Sequence, residues 1–573
     1  MNKWVKNNLW IWGLLVVIIV LVIVNGTKRN SDKEFDSGSN IKIEKLNTNQ
    51  IDNLKKLCKV WGVVKYYHPE VVAGNVNFDY ELFRVMPDTL NAKNSQEANK
   101  VIYTWVKNLG DVEENSSGKN DENKKIALER NLSWIKNTNY IDKDLSQLLV
   151  KISNSNISKR NKAYTKFDKD VGLSNFENEK LYEEMDYADD GYKLLALFRY
   201  WNIIEYYYPY TDVIEENWDG VLTTFIPKFV NTESELDYKL TISELTTKIH
   251  DPHAGVDDIN ETLYKYWGNK YAPIEFDLVE DCIVIKKVLP KYKDECELKP
   301  GDIVLEINDK DIFEVIKEKS KYRSLSRKEA IVNCLQGYLF RTSNDNIKIT
   351  VKRDGKDIIK NVKCYNDQSM FDIKEPSHKL IDGNIGYINP GQLSKNEIDK
   401  IMDKFMNTEG IIVDLREYPS EFIVYDLGKM IISKPTIFSK ISVPSQSVPG
   451  EFIFEKDQIV NPDDKKHYKG KVMILMNERS QSQSEFTVMA LKKGTNAKVI
   501  GSNSIGTDGN VTEVYLPGGV TTLITGLGVY NPDGSQTQKI GLKPDIYIKP
   551  TIDGIKEGRD ELSEKAIEII KTK

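Results

Sequence analysis

Apolar positions recurring at three- and four-residue intervals pick out two helices of the same make. One runs through Leu57-Cys58-Lys59-Val60-Trp61-Gly62-Val63-Val64-Lys65-Tyr66-Tyr67-His68-Pro69. The other, 140 residues on, runs through Leu197-Phe198-Arg199-Tyr200-Trp201-Asn202-Ile203-Ile204-Glu205-Tyr206-Tyr207-Tyr208-Pro209. Each pattern stops at its proline, which cannot continue a helix. The register persists through Asn77-Phe78-Asp79 and Asn217-Trp218-Asp219, Pro87 and Pro227, and Asp111 and Asp251. This predicts a duplicated unit, each copy holding one such helix and two more, over residues 51–165 and 166–265. Glu113 to Asn131, charged and rich in Ser and Asn, reads as a loop.

The pattern then shifts to short strands over 270–366, with a turn at Leu298-Lys299-Pro300-Gly301-Asp302. From 372 to 573, apolar runs alternate with helix signals, among them Ile385-Gly386-Tyr387-Ile388, Gly410-Ile411-Ile412-Val413-Asp414, Val472-Met473-Ile474-Leu475-Met476 and Lys498-Val499-Ile500. Buried strands of an α/β domain read this way. At the start, Leu9 to Val24 is apolar apart from Gly13, with Lys3 and Lys6 before it and Lys28 and Arg29 after it. As a helix this run covers about 24 Å, slightly short of a ~30 Å hydrocarbon core, and snorkelling flanks extend it. Residues 1–30 are read as a single-pass membrane anchor, with a cleaved signal as the alternative, and 31–50 as a linker.

Charge and composition narrow the class. The formal net charge is -6 with both signs interspersed, and no basic stripe calls for nucleic acid. Five cysteines without a C-x-x-C pair argue against a zinc ribbon, a redox motif or a disulfide scaffold. Nothing requires a metal, nucleotide or flavin, so no cofactor is expected; the sequence does not set an oligomeric state.

Two segments carry candidate chemistry. His253, one of five histidines, lies in Ile249-His250-Asp251-Pro252-His253-Ala254-Gly255, and Ser480-Gln481-Ser482-Gln483-Ser484-Glu485 follows a predicted strand and opens a predicted helix. A serine at a helix start sits where unpaired amides point, and the amide of Gln483 can stabilise an oxyanion. A serine hydroxyl is a weak nucleophile and needs a base. The competing reading is structural, since Ser482-x-x-Glu485 is also a capping box and a single histidine is more often a core residue.

These segments resemble the superfamily of C-terminal processing (tail-specific) peptidases, the tricorn core protease and the retinoid-binding repeats derived from them. The Ser-x-Ser-Glu pattern selects Ser482 as nucleophile, and Asp414-Leu415-Arg416 resembles the family strand end whose following loop supplies a second oxyanion amide, here at Ser420. Leu298-Lys299-Pro300-Gly301-Asp302 with its following strand resembles a PDZ domain, which binds extended chain ends by strand addition. The resemblance implies a ClpP/crotonase-like α/β peptidase core.

Tail-specific members carry a lysine base where this chain has Thr507, so no Ser/Lys dyad transfers. The tricorn-like branch uses a histidine that His253 matches, beside a serine replaced here by Pro252. Its supporting acid falls among Gln536, Thr537 and Gln538, so His253 lacks an orienting carboxylate unless Asp251 serves. Opposite His253 in the first copy stands Glu113, so that copy is expected to be non-catalytic.

The expectation is an α/β multidomain chain with an N-terminal membrane helix, a duplicated helical region, a PDZ-like domain and a peptidase core. Its expected activity is that of a membrane-anchored, extracytoplasmic serine endopeptidase cleaving proteins or peptides through an acyl-enzyme, secreted if the N-terminal segment is cleaved. A catalytically inactive peptide- or ligand-binding protein on the same scaffold is the alternative.

Overall fold

The computed structural model describes residues 32–113, 124–155, 157, 163–394 and 396–572. The expected anchor in 1–30 lies outside these; among the described residues no helix is long and apolar enough to cross a membrane.

Three helices recur in each copy, while Lys143–Ser153 in the first has no counterpart among the described residues of the second. The first copy holds α1 (Thr48–Tyr67), α2 (Phe78–Asn91) and α3 (Ser95–Asn108); the second holds α4 (Asp190–Tyr207), α5 (Trp218–Val230) and α6 (Glu235–Thr246). Caps recur at the same spacing: Asn77 and Asn217 accept from amides of α2 and α5, and Asn94 and Ser234 from those of α3 and α6. Even ring pairs repeat. Trp61 stacks on Phe78 and donates to its carbonyl at 3.1 Å; Trp201 stacks on Trp218 and donates to its carbonyl at 2.9 Å.

Contacts between the copies are reciprocal. Lys59 pairs with Asp219 at 2.8 Å, and their counterparts Arg199 and Asp79 pair at 2.9 Å. Tyr66 meets its own counterpart Tyr206 with ring centroids 5.3 Å apart. Exchange of partners between equivalent positions is the signature of a twofold relation, here inside one chain. Gly62 lies against its counterpart Asn202, where a Cβ would come within 1.7 Å of Oδ1.

Between the copies lies a buried charge cluster. Lys65 contacts Glu179 at 2.6 Å and Asp79 at 3.7 Å, while Arg199 contacts Asp79 and Glu179 at 2.9 and 3.0 Å, with all four side chains at most 1% exposed. Arg199 also donates to the carbonyl of Tyr515 at 2.7 Å, reaching the C-terminal core. Removing one member of such a cluster strands a buried charge, at a typical cost of about 3–5 kcal/mol.

Residues 274–363 form a separate sheet in the order 356–363, 346–353, 303–307, 282–288, 274–279, with Lys310–Asp311 beside 303–307. The helices Ile312–Ser320 and Ile331–Leu335 contribute to its apolar core. The C-terminal core is a six-stranded sheet in the order 378–381, 385–388, 410–414, 471–476, 497–501, 546–547, parallel except at the 378–381 edge. Strands 385–388, 410–414, 471–476 and 497–501 are those that the apolar runs predict. Helices including α7 (Gln483–Leu491) pack on one face, and Glu561–Lys571 on the other.

One expectation is corrected. Within the segment read as a loop, Ile126–Leu128 forms a strand paired antiparallel with Phe452 and Ile453, because its apolar residues complete an otherwise open sheet edge.

Gly62→Ala tests the internal twofold. It should destabilise the protein by about 1–3 kcal/mol in urea unfolding, since the neighbouring helices cannot separate. Asn202→Ala in that background should recover part of the loss, leaving a non-additive pair.

Candidate active site

The turn carrying His253 leaves α6 through a short 3-10 turn and is held in place by the core. His250, in left-handed conformation with φ 53, reverses the chain. Tyr238 of α6 donates to the carbonyl of Pro517 at 2.8 Å, and the hydroxyl of Tyr210, beyond α4, accepts from the Val529 amide at 2.7 Å. His250 itself is turned elsewhere, with Nε2 2.7 Å from Glu216 and Nδ1 3.2 Å from the Leu325 carbonyl.

His253 and Ser482 line one cavity of about 650 Å³. Its walls are largely apolar and aromatic, including Tyr418, Phe422, Tyr425, Phe486, Leu523 and Leu527, with polar members that include Asp508, Gln458 and Asn510. Of the three serines in the turn, two are occupied. Ser480 donates to the Leu415 carbonyl at 2.7 Å and Ser484 to that of Glu417 at 3.2 Å. These bonds fasten the turn to the Asp-Leu-Arg strand end and leave Ser482 to the cavity.

Ser482 has φ 54 and ψ -116. Helix N-caps ordinarily take extended backbone, and a non-glycine residue in this region carries strain of about 1–3 kcal/mol. The capping box is formed, with Glu485 Oε2 accepting from the Ser482 amide at 3.3 Å, but capping does not require this conformation. What holds it is a web around Glu485, which accepts from the Gly506 and Thr507 amides at 2.9 Å each and from Ser504 Oγ at 2.5 Å. The Thr507 carbonyl in turn accepts from the Ser482 amide at 2.8 Å. Thr507, where tail-specific relatives carry lysine, is therefore bonded directly to the serine, and its own hydroxyl is buried without a partner.

Gln483 opens α7, where helix geometry provides its amide with no carbonyl four residues back. Its side chain donates to the Glu421 carbonyl at 2.7 Å. Ser420 is a correction: its amide donates to the Pro390 carbonyl at 3.0 Å and its hydroxyl to that of Leu393 at 2.7 Å. The loop after Asp414-Leu415-Arg416 folds back on residues 390–393, so Ser420 offers no oxyanion donor.

His253 has a carboxylate neighbour. Asp251, wholly buried, accepts from the His253 amide at 3.0 Å and lies 3.4 Å from ring Nδ1. Burial alone would raise its pKa, but the His253 charge and hydrogen bonds from His253 and Thr525 bring it below the ordinary carboxylate value. The tail positions where an acid was sought are otherwise engaged, Thr537 donating to the Val529 carbonyl at 2.7 Å and Gln538 to the Tyr208 hydroxyl at 3.5 Å. In the first copy Asp111 is exposed, as is Glu113. Sequence reasoning passed over Asp508, whose carboxyl is pushed well up by burial and by Glu485, with Oδ2 unpartnered. Among the described residues no group of three or more His, Cys, Asp and Glu is gathered as metal ligands would be.

A parallel sheet, a serine at a helix start and a histidine turn from a preceding helical unit occupy the positions on which the sequence resemblance rests. Residues 384–548 match the family model of peptidase family S41. The chain is 24% identical over 289 residues to a "Probable CtpA-like serine protease" of Staphylococcus aureus (strain N315), covering 48% of this chain and 53% of that one. Over 170 residues it is 27% identical to a protein of Chlamydia trachomatis serovar D, covering 29% and 26% respectively. The chain thus spans about half the length of the first of these relatives and less of the second. A solved structure of mature CPAF complexed with lactacystin shares the fold at TM-score 0.53 and 15% identity, covering 67% of this chain and 98% of that one.

Two substitutions check this geometry. Ser482→Gly should melt higher than Ser482→Ala by an amount equivalent to about 1 kcal/mol, because glycine adopts this backbone without strain. Asp508→Asn should stabilise at neutral pH. A carboxyl whose pKa is raised by folding opposes folding wherever the unfolded chain ionises it, above pH ~4, so the gain in melting temperature should vanish as pH falls below that value.

Proposed function

We propose that this protein is a serine endopeptidase that cleaves protein or peptide substrates through an acyl-enzyme on Ser482, with His253 as general base. The observation that carries this reading is the strained Ser482 backbone at the start of α7, in the same cavity as His253. In the proposed reaction, Ser482 Oγ attacks the scissile carbonyl and its proton passes to His253 Nε2. The oxyanion forms beside the Gln483 amide, and His253 returns the proton to the leaving amine. Water then repeats the sequence on the acyl ester. The aromatic walls suit a substrate with a large apolar side chain next to the scissile bond.

The absent lysine and Pro252 favour a silent binding scaffold, whereas Asp251, 3.4 Å from the His253 ring, supports the catalytic reading. The sheet at 274–363 is read as a PDZ-like module. Its edge strand Ile274–Val279 packs beside Ile331–Leu335, leaving an edge for an extended chain to join. With Leu9–Val24 as a membrane anchor, the catalytic part is placed outside the cytoplasm, a location supported by the apolar run and its flanking charges.

A fluorophosphonate probe tests the reading. The wild-type protein should be labelled at Ser482 and Ser482→Ala should not. His253→Ala should slow labelling on the order of a hundredfold or more with the fold intact by circular dichroism, since loss of a general base costs roughly that factor. Absence of labelling in folded wild-type protein favours the binding scaffold.

A further inference from the structure

Thr525 stands 272 residues from His253 in the chain. The strand Val520–Thr525 pairs antiparallel with Val256–Asp258, Val520 facing Asp258 and Thr522 facing Val256. Carried onward, that register brings Thr525 level with His253, and Nδ1 of the ring lies 2.9 Å from the Thr525 hydroxyl. The same hydroxyl donates to Asp251 Oδ2 at 2.7 Å, and the Thr525 amide donates to that oxygen at 3.0 Å.

The direction of these bonds follows from elementary chemistry. An ionised carboxylate only accepts, so the single hydroxyl proton of Thr525 goes to Asp251. The hydroxyl lone pair then faces Nδ1, which must carry the imidazole proton, and Nε2 is left with its lone pair free. His253 and its hydrogen bonds hold Asp251 ionised, and no lysine or arginine among the described residues pairs with it. Three hydrogen-bond donors converge on its two oxygens, the amide and hydroxyl of Thr525 and the amide of His253, and ring Nδ1 lies 3.4 Å away.

We propose that Thr525 is a positioning residue for the base. Its hydroxyl, polarised by Asp251, fixes His253 as the Nδ1–H tautomer with Nε2 directed to the Ser482 proton. The inference rests on the peptidase reading for its catalytic consequence but not for its structural one. During attack the serine proton moves to Nε2 and the Nδ1 proton stays in place. The resulting imidazolium charge is balanced by Asp251 through the hydroxyl and across the direct 3.4 Å gap. No proton transfers to threonine or aspartate. A merely packed threonine would be replaceable by valine, which has the same shape and no hydroxyl.

The test uses the full chain with selectively 15N-labelled histidine. Wild-type His253 should show the Nδ1–H tautomer, and Thr525→Val should lose that single state. In parallel, Thr525→Val should slow fluorophosphonate labelling of Ser482 by about tenfold to a hundredfold and displace its pH profile, whereas Thr525→Ser should recover most of the rate. Asp251→Asn should slow it at least as much, because the asparagine amide can reverse the hydroxyl. An unchanged rate, pH profile and tautomer in Thr525→Val overturns the proposal. Wild-type protein that is folded but not labelled removes the peptidase reading alone, and the nitrogen spectra still decide the relay. Should Thr525→Val fail to fold, an Nε2–H tautomer in the wild type is sufficient to reject it.

Discussion

Four charges with no access to water hold the molecule together. Lys65, Asp79, Glu179 and Arg199 sum to zero, and each touches at least one of opposite sign, so the cluster is tolerated only in the assembled arrangement. Lys65 comes from the first helical copy and Arg199 from the second, with Glu179 from the segment that precedes α4. The bond from Arg199 to the Tyr515 carbonyl extends the same constraint into the core sheets. Because α4 is fixed there, the turn beyond α6 reaches the cavity at one height, and His253 meets strand 520–525 in one register.

At the other wall the arrangement is again over-determined. Glu485 gathers amides of Ser482, Gly506 and Thr507 with one buried carboxylate, and the Ser480 and Ser484 hydroxyls tie the same turn to the strand end at Leu415 and Glu417. Several bonds share the strain at Ser482, so no single one has to carry it. Glu485 and Asp508 lie together in the interior, and both carboxyls are pushed up by burial. This part of the core gives up stability to hold a serine in a conformation that an ordinary helix cap does not need.

How much of this is readable in the sequence depends on distance along the chain. The repeated helices are legible because their caps, prolines and apolar spacing are local signals, and the parallel strands because each is a compact apolar run. Ser482 is separable from Ser480 and Ser484 only through a family pattern; the structure gives the physical reason, which is that the other two hydroxyls are spent on carbonyls. Thr525 carries no local signal, because it is placed by a sheet register joining residues 272 apart. By analogy a supporting acid belongs near 536–538, whereas the carboxylate beside the histidine ring is that of Asp251, two residues before it. Ser420 misled for a similar reason, since a loop's direction after a strand depends on the carbonyls it finds.

The contact of Gly62 with Asn202 bears on how a site can arise on one side of a symmetric body. In a dimer of two identical chains, whatever sits on the axis meets itself, so a residue there must be small enough for two copies. Joining the halves in one polypeptide lifts that restriction: one half keeps the space and the other fills it with a side chain that bonds to the Cys58 carbonyl at 3.0 Å. Once such positions differ, the two halves present different ends to the rest of the molecule. The position of His253 in one is then open to a solvent-facing Glu113 in the other, with no requirement that both serve the same chemistry.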